Sequence, residues 1–318
     1  MPRPTRIEYP GALYYISIDS VPGRNVFNDD IDRNRFLHIL DYAVRRYNLK
    51  LHAFLLLDDG YRLLIETPMG NLTKSLQYIN SHYMAYLNTR RGGGGRIYSG
   101  RYKSPVIEKQ RYLLELCRHI HHMPVARNIV PSPSAYHWSS FSHYIHPQED
   151  SMPSVYTKDA LNHFTGSARR KRRKFESFCH SPPETDPAAL ESSLQKSQVF
   201  GSEEFAARME SEAGRAAPQQ VLPETIVSET ARYFNVQEEN ITQNKTKPNI
   251  PRNVAIYLAR NSTSTPLEEL GELFGVGPSS ICNTAKRVEA HRNTDDTLGK
   301  YIREVENLIS KKHRGRLL

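Results

Sequence analysis

Two near-continuous apolar runs, Leu51–Leu57 and Tyr61–Glu66, are separated only by Asp58-Asp59-Gly60. Aspartates before a glycine form turns, so the pair reads as a β-hairpin. Runs this apolar are largely buried, and the flanking sequence supplies the elements to cover them. Leu13–Ile18 is a β-prone run after Gly11. Asp29, Asp30 and Asp32 then crowd the start of a helix whose apolar positions Phe36, Ile39, Leu40, Ala43, Val44 and Tyr47 keep the helical period. A second helix carries Leu72, Leu76, Ile79, Tyr83 and Leu87 on one face. Gly92–Gly95 is a loop, Tyr102–Ile107 a further strand and Tyr112–His121 a helix. Strand, helix, two strands, helix, strand is the order of a ferredoxin-like α+β sandwich with an antiparallel sheet, here spanning residues 1–147.

Composition shifts after Pro147. Residues 148–180 read as a basic helical extension, with a helix over Asp159–Cys179 that carries Arg169, Arg170, Lys171, Arg172, Arg173 and Lys174 in unbroken succession. Six adjacent cations repel one another unless phosphate or acidic groups relieve them. Glu184, Asp186, Glu191, Glu203 and Glu204 follow in 181–220, a Ser-, Pro-, Ala- and Glu-rich stretch with the composition of a mobile linker. Residues 221–318 are all-helical in pattern. Thr265-Pro266-Leu267-Glu268 reads as a capping box, and Gly275-Val276-Gly277 as a tight turn between two helices, which together make a helix-turn-helix. In the second of these helices Ile281, Ala285 and Val288 turn inward onto Leu270 and Phe274. Ser279, Ser280 and Asn283 then point outward for base edges, and Lys286 and Arg287 for phosphates.

Charge agrees with that reading: 43 Lys and Arg against 34 Asp and Glu give a net +9, which favours polyanionic partners. Cys117, Cys179 and Cys282 form no Cys-x-x-Cys pair, so neither a disulfide framework nor a zinc knuckle is expected. Gly92–Gly95 lacks the Gly-Lys-Ser/Thr of a phosphate loop. The apolar run Ala53–Leu57, like every other uninterrupted run in the sequence, is far too short for a membrane helix and the N-terminus has no secretory pattern. A cytoplasmic, nucleoid-associated protein without a membrane partner is expected.

The stretches RNVAIYLAR (Arg252–Arg260) and LEELGELFG (Leu267–Gly275) resemble the C-terminal DNA-binding domain of the bacterial replication initiator DnaA. That family's Arg-Asp-His-Thr-Thr base-reading signature is replaced here by Gly277, Pro278, Ser279 and Ser280, so the initiator's own target site is not carried over.

Residues 1–145 resemble the REP-associated tyrosine transposases, a branch of the single-strand HUH transposases. The segments that carry the likeness are RIEYPGALYYI (Arg6–Ile16), LKLHAFLL (Leu49–Leu56), GRYKSPVIEKQRYLLELCRHIHHMPVARNIV (Gly100–Val130) and YHWSSF (Tyr136–Phe141). A DnaA-like tail also occurs in that family. The resemblance implies a pair of histidines one residue apart on a strand, facing the same way to hold a divalent cation, and a helical tyrosine that attacks the scissile phosphate. It also implies single-stranded hairpin DNA as substrate and homodimers. Here the two histidine positions are Gly60 and Arg62, and the tyrosine position is His119. The family's Arg-Gly-Asn after the first strand is replaced by Asp19, Ser20 and Val21.

Substitutes are weak. Tyr112 lies about 10 Å along the helix from His119 and reads as a packing residue. His119 and His122 share a helix face without a third ligand, so no metal site and no cofactor are expected. Asp58 and Asp59 read as turn formers rather than magnesium ligands. Arg62 presents a guanidinium either to DNA, beside Arg101, Lys103, Arg111 and Arg118, or to Glu66 on the same strand face. The first reading is therefore a catalytically inactive, transposase-derived factor that binds DNA as hairpin or duplex. The alternative is an active transposase or nuclease that uses magnesium or manganese with non-standard residues. A third is an RNA-binding or protein-docking module.

Overall fold

The computed structural model describes residues 6–314 except 94, 147–151, 182, 184, 214–220, 244–248, 264 and 293–295. Glu184, Gly94, the expected boundary at 147/148 and the last part of the expected linker lie outside the described residues.

The hairpin forms where the two aspartates turn the chain: β2 (Lys50–Leu57) pairs antiparallel with β3 (Gly60–Thr67), and β3 with β1 (Ala12–Asp19). The sheet order is β2-β3-β1-β4-β5, so its first four strands have the ferredoxin-like arrangement and are antiparallel. Strand β4 is only Val106–Ile107, shorter than expected, although Lys103 still bridges to Ser17. Helix α1 (Asp30–Arg46) begins where expected because the Asp29 side chain accepts from the Asp32 amide. Together with α2 (Leu72–Arg90) it covers one sheet face through Phe36, Leu40, Leu76 and Tyr83. The other face is covered by α3 (Lys109–Ala126), α4 (Phe141–Ile145), α5 (Lys158–Leu161), α6 (Ala168–His180) and α7 (Pro187–Lys196), through residues such as Leu116, Phe141, Phe175 and Leu194. The helix expected over Asp159–Cys179 is broken between α5 and α6, where Gly166 takes φ +114°.

The largest departure from expectation is 185–213, which is structured rather than a linker. Asp186 caps α7, and Pro187 occupies its first turn. Strand β5 (Val199–Phe200) then extends the sheet in parallel with β4, and α8 (Glu203–Ala213) buries Phe205 and Met209 in the first core. A few well-spaced apolar residues suffice because they pack on a surface that already exists.

The C-terminal unit contains α9 (Pro223–Phe234), α10 (Glu238–Thr242), α11 (Ile250–Ser262), α12 (Leu267–Leu273), α13 (Pro278–Arg292) and α14 (Asp296–Arg314) around one core. The expected capping box does not form. Pro266 itself is the N-cap of α12 and no side-chain cap bond is made. Between α12 and α13 the turn depends on Gly275, whose φ of +58° is left-handed. This unit docks on the first: the Ser310 hydroxyl donates to the Pro68 carbonyl at 2.8 Å, Tyr257 and Arg292 both donate to the Arg46 carbonyl at 3.3 Å, and Met69 enters the helical core. Among the described residues no helix is long and apolar enough to cross a membrane.

Candidate functional site

Arg62 points from β3 toward α3 and α7 and is 1% exposed. A buried guanidinium needs its donors satisfied and its charge countered. Its Nε donates to Glu191 Oε1 and its Nη2 to Asp19 Oδ1, both at 2.7 Å, while Nη1 donates to the carbonyls of Ile18 and Tyr61 at 3.1 Å. The second oxygen of Glu191 accepts from the Tyr15 hydroxyl at 2.5 Å and lies 3.1 Å from His119 Nε2, and Gln195 Nε2 donates to the first at 2.9 Å. Burial pushes the Glu191 carboxyl up, but the His119 hydrogen bond, the Arg62 charge and the Tyr15 hydroxyl overcome it and hold the carboxyl at about 2. Burial and the Glu191 charge push the Tyr15 hydroxyl well above the ordinary phenol range.

The donor set does not fit the divalent cation that the transposase resemblance implies. Gly60 offers no ligand, and a Cβ added there would stand 2.1 Å from the Ile18 carbonyl oxygen. Arg62 is a permanent cation. Elsewhere, His52, Glu66 and Asp159 bring metal-type donor atoms within 4.8 Å of one another. The Lys109 ammonium already lies between the two carboxylates, 2.5 Å from Glu66 and 2.6 Å from Asp159. Burial raises the Glu66 carboxyl, but the His52 hydrogen bond and the Lys109 and Lys50 charges hold it well below the usual range. That cluster is a closed ion-pair network.

Several expected positions are corrected. Arg62 does not present itself to solvent, and it does not pair with Glu66; four residues along a strand span about 13 Å, beyond a direct ion pair. Arg118 is 5% exposed, bonded to Glu115 and stacked 4.3 Å over the Phe178 ring, so it too leaves the surface. His121 is buried against Ser140, apart from the His119 network. Tyr112 packs edge-on against Phe200.

Other candidates lie at the surface. Arg101, Lys103 and Arg111 are exposed. In α6, Arg169, Arg170 and Arg173 are exposed and Lys171, Arg172 and Lys174 half-buried. Lys171 donates to Asn162, Lys174 to Thr165 and Arg172 to the Tyr144 carbonyl, and among the described residues none of the six joins an ion pair. Asp186 is engaged as a cap and Glu191 by Arg62, so neither relieves the run. In α13, Ser279, Ser280, Asn283, Lys286 and Arg287 are all exposed, while Ile281, Ala285 and Val288 are buried with Leu270 and Phe274.

Sequence reasoning missed the role of Glu191. The signal was present: Asp186-Pro187 is a helix start, Leu190 and Leu194 are one turn apart, and an arginine in a buried strand requires an acid.

With this geometry in place, similarity to known proteins divides the chain. Residues 223–288 match the bacterial DnaA protein helix-turn-helix family. The chain is 28% identical over 92 residues to the chromosomal replication initiator proteins DnaA of Caldanaerobacter subterraneus subsp. tengcongensis and of Thermoanaerobacter sp., covering 28% of this chain and 21% of each relative. The DnaA of Lacticaseibacillus casei is 26% identical over 144 residues, covering 42% of this chain and 31% of that protein. The chain thus spans between a fifth and a third of these initiators. A solved REP-associated tyrosine transposase bound to a REP hairpin aligns with 49% of this chain and 92% of its own, at 13% identity and a TM-score of 0.40.

Proposed function

We propose that this protein is a DNA-binding factor built on a transposase-like scaffold, and that it grips DNA without cutting it. The DnaA-type unit reads duplex DNA through the outward face of α13: Ser279, Ser280 and Asn283 toward base edges, Lys286 and Arg287 toward phosphates. The observation that carries the loss of chemistry is the Arg62–Glu191 pair, which occupies one of the two strand positions where the resemblance calls for histidine ligands. Gly60 at the other position and His119 at the tyrosine position support the same reading. A guanidinium bound to two carboxylates and two carbonyls has no lone pair to offer a metal or a phosphorus atom.

The test is incubation of the full-length protein with single-stranded hairpin DNA and magnesium or manganese, followed by denaturing electrophoresis. No covalent protein–DNA adduct is expected, and an adduct overturns the reading. Duplex binding is tested separately by selecting preferred sequences from a random pool. Failure to enrich any sequence removes base reading by α13.

A further inference from the structure

The seam where the helical unit docks on the first holds a cleft of about 420 Å³, a volume and a kind of boundary typical of sites that take small molecules. Helix α1 supplies Tyr42 and Arg46 to its wall, α11 supplies Arg260 and Asn261, and α13 supplies Cys282, Lys286 and Glu289. Its walls come from both units, so the cleft exists only while they are docked. The bonds that Tyr257 and Arg292 donate to the Arg46 carbonyl hold them so.

Three cations line this cleft against one carboxylate, and that carboxylate is committed. Glu289 accepts from the Tyr257 hydroxyl, which in turn accepts from Arg292 at 2.8 Å. Among the described residues none of Arg46, Arg260 and Lys286 is in an ion pair. The Arg46 side chain makes one hydrogen bond among those residues, to the Tyr42 hydroxyl at 3.5 Å, and its Nε is buried with no acceptor. Asn261 is 7% exposed, and its side-chain amide has no hydrogen-bond partner among the described residues. A nearly buried amide left unpaired is costly until something from outside completes it. Guanidinium forks match phosphate oxygens, and an amide both donates and accepts, so the lining complements a phosphate carried on a small polar body.

We propose that this cleft binds a small phosphate ester, its phosphate held by Arg46, Arg260 and Lys286 and a hydroxyl or carbonyl of its body paired with Asn261. Such a ligand bridges the two units. Lys286 is also assigned to duplex phosphates, so a bound ester competes with duplex DNA. That consequence rests on the proposed function, whereas occupancy of the cleft does not.

Cys282 reports occupancy in the full-length protein, because it lines the cleft half-buried while Cys117 and Cys179 are buried. Its alkylation by iodoacetamide, followed by mass spectrometry, slows several-fold in saturating ribose 5-phosphate or glycerol 3-phosphate and is unaffected by ribose or glycerol. Inorganic phosphate protects only at higher concentration, since it brings nothing to Asn261. In Lys286→Gln, an exposed position, half-protection needs about tenfold more ester, the effect of one lost charge-assisted hydrogen bond. Asn261→Asp, of equal size but bearing a like charge to the phosphate, abolishes protection without lowering the melting temperature. Failure of both esters to protect Cys282, equal protection by ribose or glycerol, equal protection by inorganic phosphate, or an unchanged midpoint in Lys286→Gln each overturns the proposal. Duplex affinity is measured with and without ester. Equal affinity in both overturns the competition, whereas a protein that binds no duplex contradicts the proposed function and leaves the Cys282 readout intact.

Discussion

Arg62 on β3 and Glu191 on α7 meet at 2.7 Å although 129 residues separate them in sequence. This contact pins α7 across the sheet face where the resemblance places the cutting chemistry, and it turns a segment of linker-like composition into part of the first unit. Removing one partner of a buried pair leaves the other charge uncompensated, at a cost of about 3–5 kcal/mol. Glu191→Ala therefore destabilises the protein by about that amount in urea denaturation, and Arg62→Met with Glu191→Met restores much of it. A Glu191→Ala change within about 0.5 kcal/mol of the parent would show that α7 is held by other contacts.

Gly60 cannot take a side chain without moving β1. Its Cβ would stand 2.1 Å from the Ile18 carbonyl oxygen and 3.2 Å from the Asp19 Cα, both backbone atoms. Gly60→Ala costs about 1–3 kcal/mol by overpacking, read as a lowered melting temperature. By the same argument, Gly60→His with Arg62→His and His119→Tyr yields no DNA adduct with magnesium. An adduct would mean that the backbone yields more easily than its packing implies.

Asn283 is exposed in the first half of α13, about two turns from the glycine-dependent bend. Asn283→Ala weakens binding to the preferred duplex by about 1–3 kcal/mol and to random duplex very little. Equal loss on both sequences would assign Asn283 to the backbone.

Charge-neutral replacement of Arg169–Lys174 flattens the salt dependence of DNA binding, since those six cations have no carboxylate partner among the described residues. An unchanged slope would leave them as a solvated helix face.

Glu306 sets a pH dependence at the junction of the two units. It is 2% exposed on α14, faces Arg292 and Glu289 of α13, Tyr257 of α11 and Arg303 of its own helix, and burial pushes its carboxyl up to about 7. The folded state therefore holds the proton more tightly than the unfolded chain, whose carboxyl titrates near 4.3. The resulting stabilisation, on the order of 3 kcal/mol, is fully present below that unfolded value and is lost as pH rises through about 7. Glu306→Gln removes this dependence and melts higher than the parent at pH 8. Parallel melting curves for the two proteins between pH 4 and 8 would contradict it.

Much of the architecture was legible because its signals are local. The Asp58-Asp59-Gly60 turn, the helical spacing from Phe36 to Tyr47, the Asp29 cap and the inward set Ile281, Ala285 and Val288 each depend on residues within a turn or two of one another. The absence of histidine at 60 and 62 and of tyrosine at 119 is likewise a fact of the sequence. Local propensity misled at Thr265-Pro266, where the proline takes the cap position, and along 185–213, where low apolar content imitates disorder although Leu194, Phe205 and Met209 are buried.

By itself, then, the sequence determined the order of strands and helices, the helix-turn-helix and the missing ligands, since hydrophobic period and turn chemistry act over a few residues. Only the tertiary structure decided that Arg62 faces Glu191 rather than Glu66 or solvent, that Lys109 fills the space between Glu66 and Asp159, and that Arg46, Arg260 and Lys286 share one cleft. Those pairings join distant segments, and a buried charge selects whichever counter-charge the path of the chain brings within reach.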